Sequence, residues 1–464
     1  MRIFILLVFL TFLGFKTSNA IISERTKEIH HKNLVFVILS QADEHHEKNA
    51  KMLEYFLKAQ TNNNSKVFLT HRDLKHVGDW TVIPLLERLW DMLNGNFTWL
   101  IFCTDQTGVD VNNLIDTLQP HTKNETFIGR GLSDAEPTII HHFTSIPNFQ
   151  YPLFAAGFGI NRNLLERIVN SLDMSKIIKK TDFSIDASHE LALFLKNNLD
   201  DVVLTDSPRF CLNYAPGCAT YVTKMNLCKG IDRKAIFFAV KTCEKFHHSR
   251  VPIVQITWGK KCFNIAYFSD VSDLKIPTVE IMIPNVDYGH CRKSEVILEI
   301  LMRNLVENNT LQWVVLADDD TILSVRRIQK LLGCYNPREP VILGERYGYK
   351  VLDNYGYNYI TGGGGVVLSR EAVMRLSGGN CRCPRETTPD DMFLLGICAR
   401  KMNIGLVHIP LFHQARPNDY NSDYLKIGNP ISFHKHWMTD PVQIYKDWFE
   451  EDDAIEDEDI HSEL

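Results

Sequence analysis

The sequence predicts an α/β protein built from two related units, roughly 28–228 and 229–450. Three observations carry this. The run Gln312-Trp313-Val314-Val315-Leu316-Ala317 is apolar and β-branched, reads as a buried strand, and stops at Asp318-Asp319-Asp320-Thr321. An earlier stretch, Thr98-Trp99-Leu100-Ile101-Phe102-Cys103-Thr104-Asp105-Gln106-Thr107, repeats that pattern. Each unit also opens with a strand-like run, Leu34–Leu39 and Ala235–Val240. Strands alternating with helical patterns favour a mostly parallel sheet in each unit.

The ends address the chain to a compartment. Met1-Arg2, an apolar run from Ile3 to Phe15, and small residues at Ser18 and Ala20 form a secretory signal peptide, residues 1–20. The run is short for a membrane span, which needs roughly 20 apolar residues, so no span is expected in the mature chain. The terminus His461-Ser462-Glu463-Leu464 is similar to the Lys-Asp-Glu-Leu type of retrieval signal. Together these predict residence in the endoplasmic reticulum lumen, with a retrieval receptor as a partner. Residues 451–464 read as an acidic, solvated tail presenting that signal. Eleven cysteines without zinc-finger spacing predict disulfides, with at least one thiol left over. Sequons at Asn63, Asn96, Asn124 and Asn308 permit N-glycosylation. A net charge of −6 argues against a nucleic-acid partner.

The two copies differ in chemistry. Asp318, Asp319 and Asp320 sit at the C-terminal end of a strand, where open α/β sheets place ligands. Three adjacent carboxylates repel, and a divalent cation such as Mg²⁺ or Mn²⁺ relieves that repulsion. An acidic turn capping the next helix is the plainer alternative. The first copy has Thr104-Asp105-Gln106 instead, and a neutral Gln cannot supply the charge of Asp320. The first unit is therefore read as degenerate, serving as packing support or as a binding platform for an acceptor.

Other pieces follow in the second unit. Thr361-Gly362-Gly363-Gly364-Gly365 lets backbone approach a ligand, and its partner in the first copy is the stretch around Gly157. Pro389-Asp390-Asp391 reads as a helix start, with the acids either serving the helix dipole or supplying a general base. His434 and His436 follow Ser432-Phe433, and an imidazole beside carboxylate suits Mn²⁺.

In this order, the strand ending in three Asp, Thr-Gly-Gly-Gly-Gly-x-x-x-Ser-Arg, Pro-Asp-Asp and Ser-Phe-His resemble the Fringe and core-1 β1,3-galactosyltransferase superfamily. Upstream, Val240-Lys241-Thr242-Cys243 and Phe268-Ser269-Asp270 resemble the opening of its nucleotide-binding half. The resemblance implies two tandem GT-A-like, Rossmann-like domains and metal-dependent, inverting β1,3 transfer from a UDP-sugar. It implies that Asp320 and His434 hold Mn²⁺ or another divalent cation. Asp318 and Asp319 would organise the nucleotide-sugar, Thr242 and Asp270 would line the uridine end, and Asp391 would be the base with Asp390 as its competitor. The signal peptide, the degenerate first copy and the retrieval tetrapeptide resemble the branch that moves glucose from UDP-glucose to O-linked fucose on thrombospondin type 1 repeats. The alternatives are Fringe-like N-acetylglucosamine transfer and a non-catalytic lumenal lectin.

Overall fold

The computed structural model describes residues 29–173, 182–199, 201–225, 227–353 and 355–455. The segments read as a signal peptide and a retrieval tetrapeptide lie outside these residues. Among the described residues no helix is long and apolar enough to cross a membrane.

The fold is α/β with several mixed sheets, two of them large. The first large sheet runs Lys66–Leu69, Leu34–Leu39, Trp99–Thr104, Phe158–Asn161, Phe127–Gly129, Leu204–Asp206. The second runs Asn264–Ser269, Ile236–Lys241, Trp313–Asp318, Val366–Ser369, Val341–Gly344, Gly405–His408, with Thr278–Glu280 added at one edge. Strand order and direction agree step for step across these six positions.

Each sheet is mostly parallel, as the sequence predicts, with one reversed strand. Phe158–Asn161 and Val366–Ser369 each lie antiparallel to both neighbours. Each is entered through a glycine of positive φ, Gly157 at 78° and Gly365 at 87°, a conformation that a side chain would strain. Each ends in a polar cap, Asn161 or Ser369, that accepts from the backbone three residues on and starts a helix. The apolar strands are buried on both faces. Trp99 and Trp313 occupy matching places, with 0% and 1% exposure.

The two halves share structure. Phe183–Ser184 adds antiparallel to Arg346–Tyr349, which pairs with Tyr357–Ile360, making one small sheet from both halves. Gln41 exchanges two hydrogen bonds with the His408 backbone, at 2.9 and 2.8 Å. Trp80 Nε1 donates to Asn358 Oδ1 at 3.0 Å.

Four disulfides form: Cys211–Cys218, Cys228–Cys334, Cys291–Cys383 and Cys381–Cys398. Cys103, Cys243 and Cys262 are free. All four sequon asparagines are exposed.

The acidic stretch is not wholly solvated. Glu450–Ala454 is helical, and Asp453 is buried. Its carboxylate accepts from Ser324 Oγ at 2.6 Å, Arg326 N at 3.0 Å and Tyr445 Oη at 2.9 Å. It thereby serves the N-terminus of the helix Val325–Leu332, whose unpaired N–H groups attract a carboxylate. Arg327 pairs with Asp452 at 2.5 Å.

Candidate active site

The acidic triplet forms a turn between two strands, Trp313–Asp318 and Thr321–Leu323. Thr321 holds the turn: its hydroxyl accepts from Asp318 N at 3.0 Å and donates to the Gly363 carbonyl at 2.8 Å. The glycine loop is thus tied to the triplet. The same geometry recurs in the first half, where the Thr107 hydroxyl accepts from Thr104 N at 2.9 Å and donates to the Ala155 carbonyl at 3.0 Å.

Strand pairing brings in the histidine. Thr321–Leu323 lies antiparallel to Ser432–His434, with Thr321 opposite His434. His434 Nε2 lies 3.1 Å from Asp320 Oδ1, and its Nδ1 lies 3.1 Å from the Gln414 carbonyl. Donation from Nδ1–H to that carbonyl fixes the ring so that Nε2 faces the carboxylates: protonated, it donates to Asp320, and deprotonated, its lone pair could ligate a cation. A Cβ on Gly363 would sit 2.6 Å from the His434 ring, so only glycine leaves room for the imidazole. Ligand atoms of Asp318, Asp320 and His434 all lie within 4.8 Å of one another. This oxygen and imidazole set suits Mn²⁺ or Mg²⁺. His436 lies beyond the strand end, where burial lowers its pKa to about 4.

Asp319 points elsewhere. It accepts from Thr242 Oγ1 at 2.7 Å and pairs with Arg250 Nη1 at 3.0 Å, while burial pushes its pKa up to about 6. Arg250 also reaches Asp320 at 2.9 Å. Burial opposes ionisation of Asp320, but His434, by hydrogen bond and charge, together with Arg250 outweighs it and holds the pKa at about 2. Asp270 accepts from Glu244 N at 3.0 Å and Ser269 Oγ at 3.1 Å, at the end of the neighbouring strand.

The paired acids have separate environments. Asp390 accepts from Lys241 Nζ at 2.8 Å and from the Ser294 hydroxyl. Burial works against its charge, yet the Lys241 ammonium prevails and lowers its pKa. Lys241 also reaches Asp318 at 3.1 Å, so a single ammonium joins the triplet to the Pro389-Asp390-Asp391 segment. Asp391 lacks such a partner. Burial first, and then the Asp390 charge, raise it to about 6. The disulfides Cys291–Cys383 and Cys381–Cys398 fasten both sides of this segment, with Cys291 starting the helix that carries Ser294. A π-helical turn, Phe393–Cys398, follows.

The structure therefore gathers Asp318, Asp320 and His434 in one cluster. Lys241 links that cluster to Asp390 and its neighbour Asp391, while Asp319 and Thr242 join through Arg250. Sequence reasoning missed the roles of Lys241, Arg250, Ser294 and Gln414. For Lys241 a signal existed: it ends a parallel strand in register with Asp318. The partners of Arg250 and Gln414 emerge only from loop packing.

Strand register also gives the first half's counterpart. Thr107 lies opposite Val222, as Thr321 lies opposite His434. The first half thus has Gln106 where the second has Asp320, and Val222 where it has His434.

A chain with these paired acids and a carboxylate–imidazole cluster at a strand end has the equipment of a sugar transferase. The profile of the Fringe-like family matches residues 231–461, which contain every one of these site residues. The human protein named β-1,3-glucosyltransferase is 44% identical over 435 residues, covering 91% of this chain and 86% of its own length. Its mouse namesake is 42% identical, covering 92% and 89%. The Xenopus laevis β-1,3-N-acetylglucosaminyltransferase lunatic fringe is 25% identical over 44% of this chain and 59% of its own length. The chain is a glycosyltransferase with a Fringe-like domain. It belongs to the β-1,3-glucosyltransferase family.

Proposed function

We propose that the second half transfers glucose from UDP-glucose to the 3-hydroxyl of O-linked fucose on thrombospondin type 1 repeats, with inversion. In this reading the protein comprises two tandem GT-A-like domains, the first degenerate, and works in the endoplasmic reticulum lumen. One observation carries the proposal: the cluster of Asp318, Asp320 and His434 joined through Lys241 to the segment that holds Asp391 near a pKa of 6.

Asp320 and His434, with Asp318 beside them, would hold Mn²⁺ or another divalent cation, which when bound neutralises charge on the departing diphosphate. The remaining work falls to side chains. Asp319 and Thr242 form one hydrogen-bonded unit at the end of the strands, beside Asp270, suited to hold the nucleotide. Asp391 accepts the fucose 3-hydroxyl proton as that oxygen attacks the anomeric carbon from the face opposite UDP. A base works best with a pKa near the operating pH, and Asp391 is nearer to it than Asp390. Lys241 keeps Asp390 ionised, and that charge in turn raises Asp391. A single displacement needs one base and no enzyme nucleophile.

The deciding experiment is a donor screen on a fucosylated thrombospondin repeat with added Mn²⁺. Selective turnover with UDP-glucose supports the proposal. Preference for UDP-N-acetylglucosamine, or no transfer from any UDP-sugar, would overturn it.

A further inference from the structure

The C-terminal edge of the first sheet is not filled in. A cavity of about 190 Å³ lies against Thr104, Asp105 and Gln106, the counterpart of the acidic triplet. Its far wall comes from the second half, through Glu345, Arg346 and His408. Aromatic rings of Trp80, Tyr151 and Tyr424 complete the lining.

Two lining side chains carry buried nitrogens without partners among the described residues, His46 Nε2 and Arg346 Nε. His46 is 2% exposed, and its Nδ1 is taken by Asp105 at 2.6 Å. The Arg346 guanidinium lies 4.6 Å over the Trp80 ring and forms no ion pair or hydrogen bond with a described residue. Buried polar groups are normally satisfied, and leaving them unpaired is costly. Arg346 Nε–H therefore asks for an acceptor oxygen, and His46 Nε2, an acceptor in the neutral ring and a donor in the imidazolium, asks for a group that can serve in either role, such as a hydroxyl.

The lining limits what that molecule can be. A nucleotide diphosphate is a poor fit, because Asp105 and Asp186 line the same space and repel phosphate. The metal that would offset this has lost its ligands to Gln106 and Val222. An apolar molecule would leave both nitrogens unsatisfied. A neutral ring bearing several hydroxyls meets every demand. One oxygen accepts from Arg346, one hydroxyl pairs with His46 Nε2 as donor or acceptor, others donate to Asp105 and Asp186, and its C–H faces lie against the aromatic walls.

We propose that this cavity binds one pyranose residue of a glycan, at a site separate from the UDP-sugar site of the second half. The inference is independent of the donor assigned above, because its test involves no transfer.

The test uses the full folded chain without UDP-sugar. Methyl α-L-fucopyranoside and methyl β-D-glucopyranoside are titrated separately by saturation-transfer NMR and by tryptophan fluorescence. At least one glycoside should bind saturably, and equally well to Asp320→Asn. Trp80→Ala should weaken binding by roughly tenfold or more, as expected for loss of one good contact. Ile140→Trp, which fills the cavity from its lining, should abolish binding; it decides the matter if Trp80→Ala does not fold. Absence of saturable binding by both glycosides overturns the proposal. So does binding that survives Ile140→Trp, or binding displaced by UDP.

Discussion

His434 Nε2 stands 3.1 Å from Asp320 Oδ1 because Thr321, the residue after Asp320, pairs across the ladder with His434. In the first half the same ladder places Val222 beside Gln106. Both of the proposed ligand positions are therefore occupied there by residues that cannot ligate as a carboxylate or imidazole would. A carboxylate or an imidazole alone would have been a buried polar group without purpose.

That pairing makes a direct prediction. Asp320→Gln and His434→Val, which install the first-half residues, should each lower turnover by about 10²–10³-fold, the usual effect of removing one preorganised electrostatic group. EDTA should do the same to the parent enzyme, and Mn²⁺ should restore it. Full turnover after exhaustive chelation would sink the metal assignment.

The split between the paired acids should appear in pH profiles. With Asp391 held at about 6, kcat should fall as pH drops through that value and the base becomes protonated. Asp391→Asn should reduce kcat by roughly 10²–10⁴-fold while UDP-glucose still binds. Asp390→Asn should cost less and should move the acid limb to lower pH, since it removes the like charge that raises Asp391. A larger loss from Asp390→Asn would reverse the two roles.

His141 offers a stability test away from the site. Its two nitrogens meet Asp134 at 2.7 Å and Asp186 at 3.0 Å. Burial disfavours the imidazolium, but the two carboxylates overcome it and raise the pKa to about 9. A raised folded pKa stabilises below the unfolded value of about 6.5. That contribution fades as pH rises toward about 9 and amounts to roughly 2–4 kcal/mol. Asp134 and Asp186 are shifted downward, so their share disappears only in acid. Denaturant melts of the parent chain should therefore weaken between neutral and alkaline pH. His141→Gln should be less stable and should lack that slope; an unchanged slope would refute the assignment.

The docked acidic helix predicts a cost for trimming. Asp453→Ala leaves the Ser324, Arg326 and Tyr445 donors without their acceptor. A loss of about 1–3 kcal/mol is expected in chemical denaturation. Glu451→Ala, at an exposed position, should change stability little.

Deletion of Glu463 and Leu464 should turn a cell-retained protein into a secreted one. Immunoblots of cells and medium test this, and retention of a folded, truncated chain would point to another mechanism.

The sequence by itself determined the α/β class, the internal duplication and the residues of the second-half cluster. Buried strands must be apolar, turns at their ends must be polar, and chemistry at a strand end leaves an abrupt change of residue type, as at Ala317-Asp318. The mostly parallel sheets were legible too, but the one reversed strand in each was not, because an apolar run such as Val366–Ser369 reads alike whether its neighbours run with it or against it. Only the tertiary structure decided that Lys241 joins Asp318 to Asp390, that Asp319 turns to Arg250, and that Val222 is the counterpart of His434. It also decided that Asp453, inside an acidic run, is a buried helix cap. Each of these is a contact between residues distant in the chain. Its distance and partner are set by ladder register and loop packing, and neither leaves a local mark in the order of amino acids.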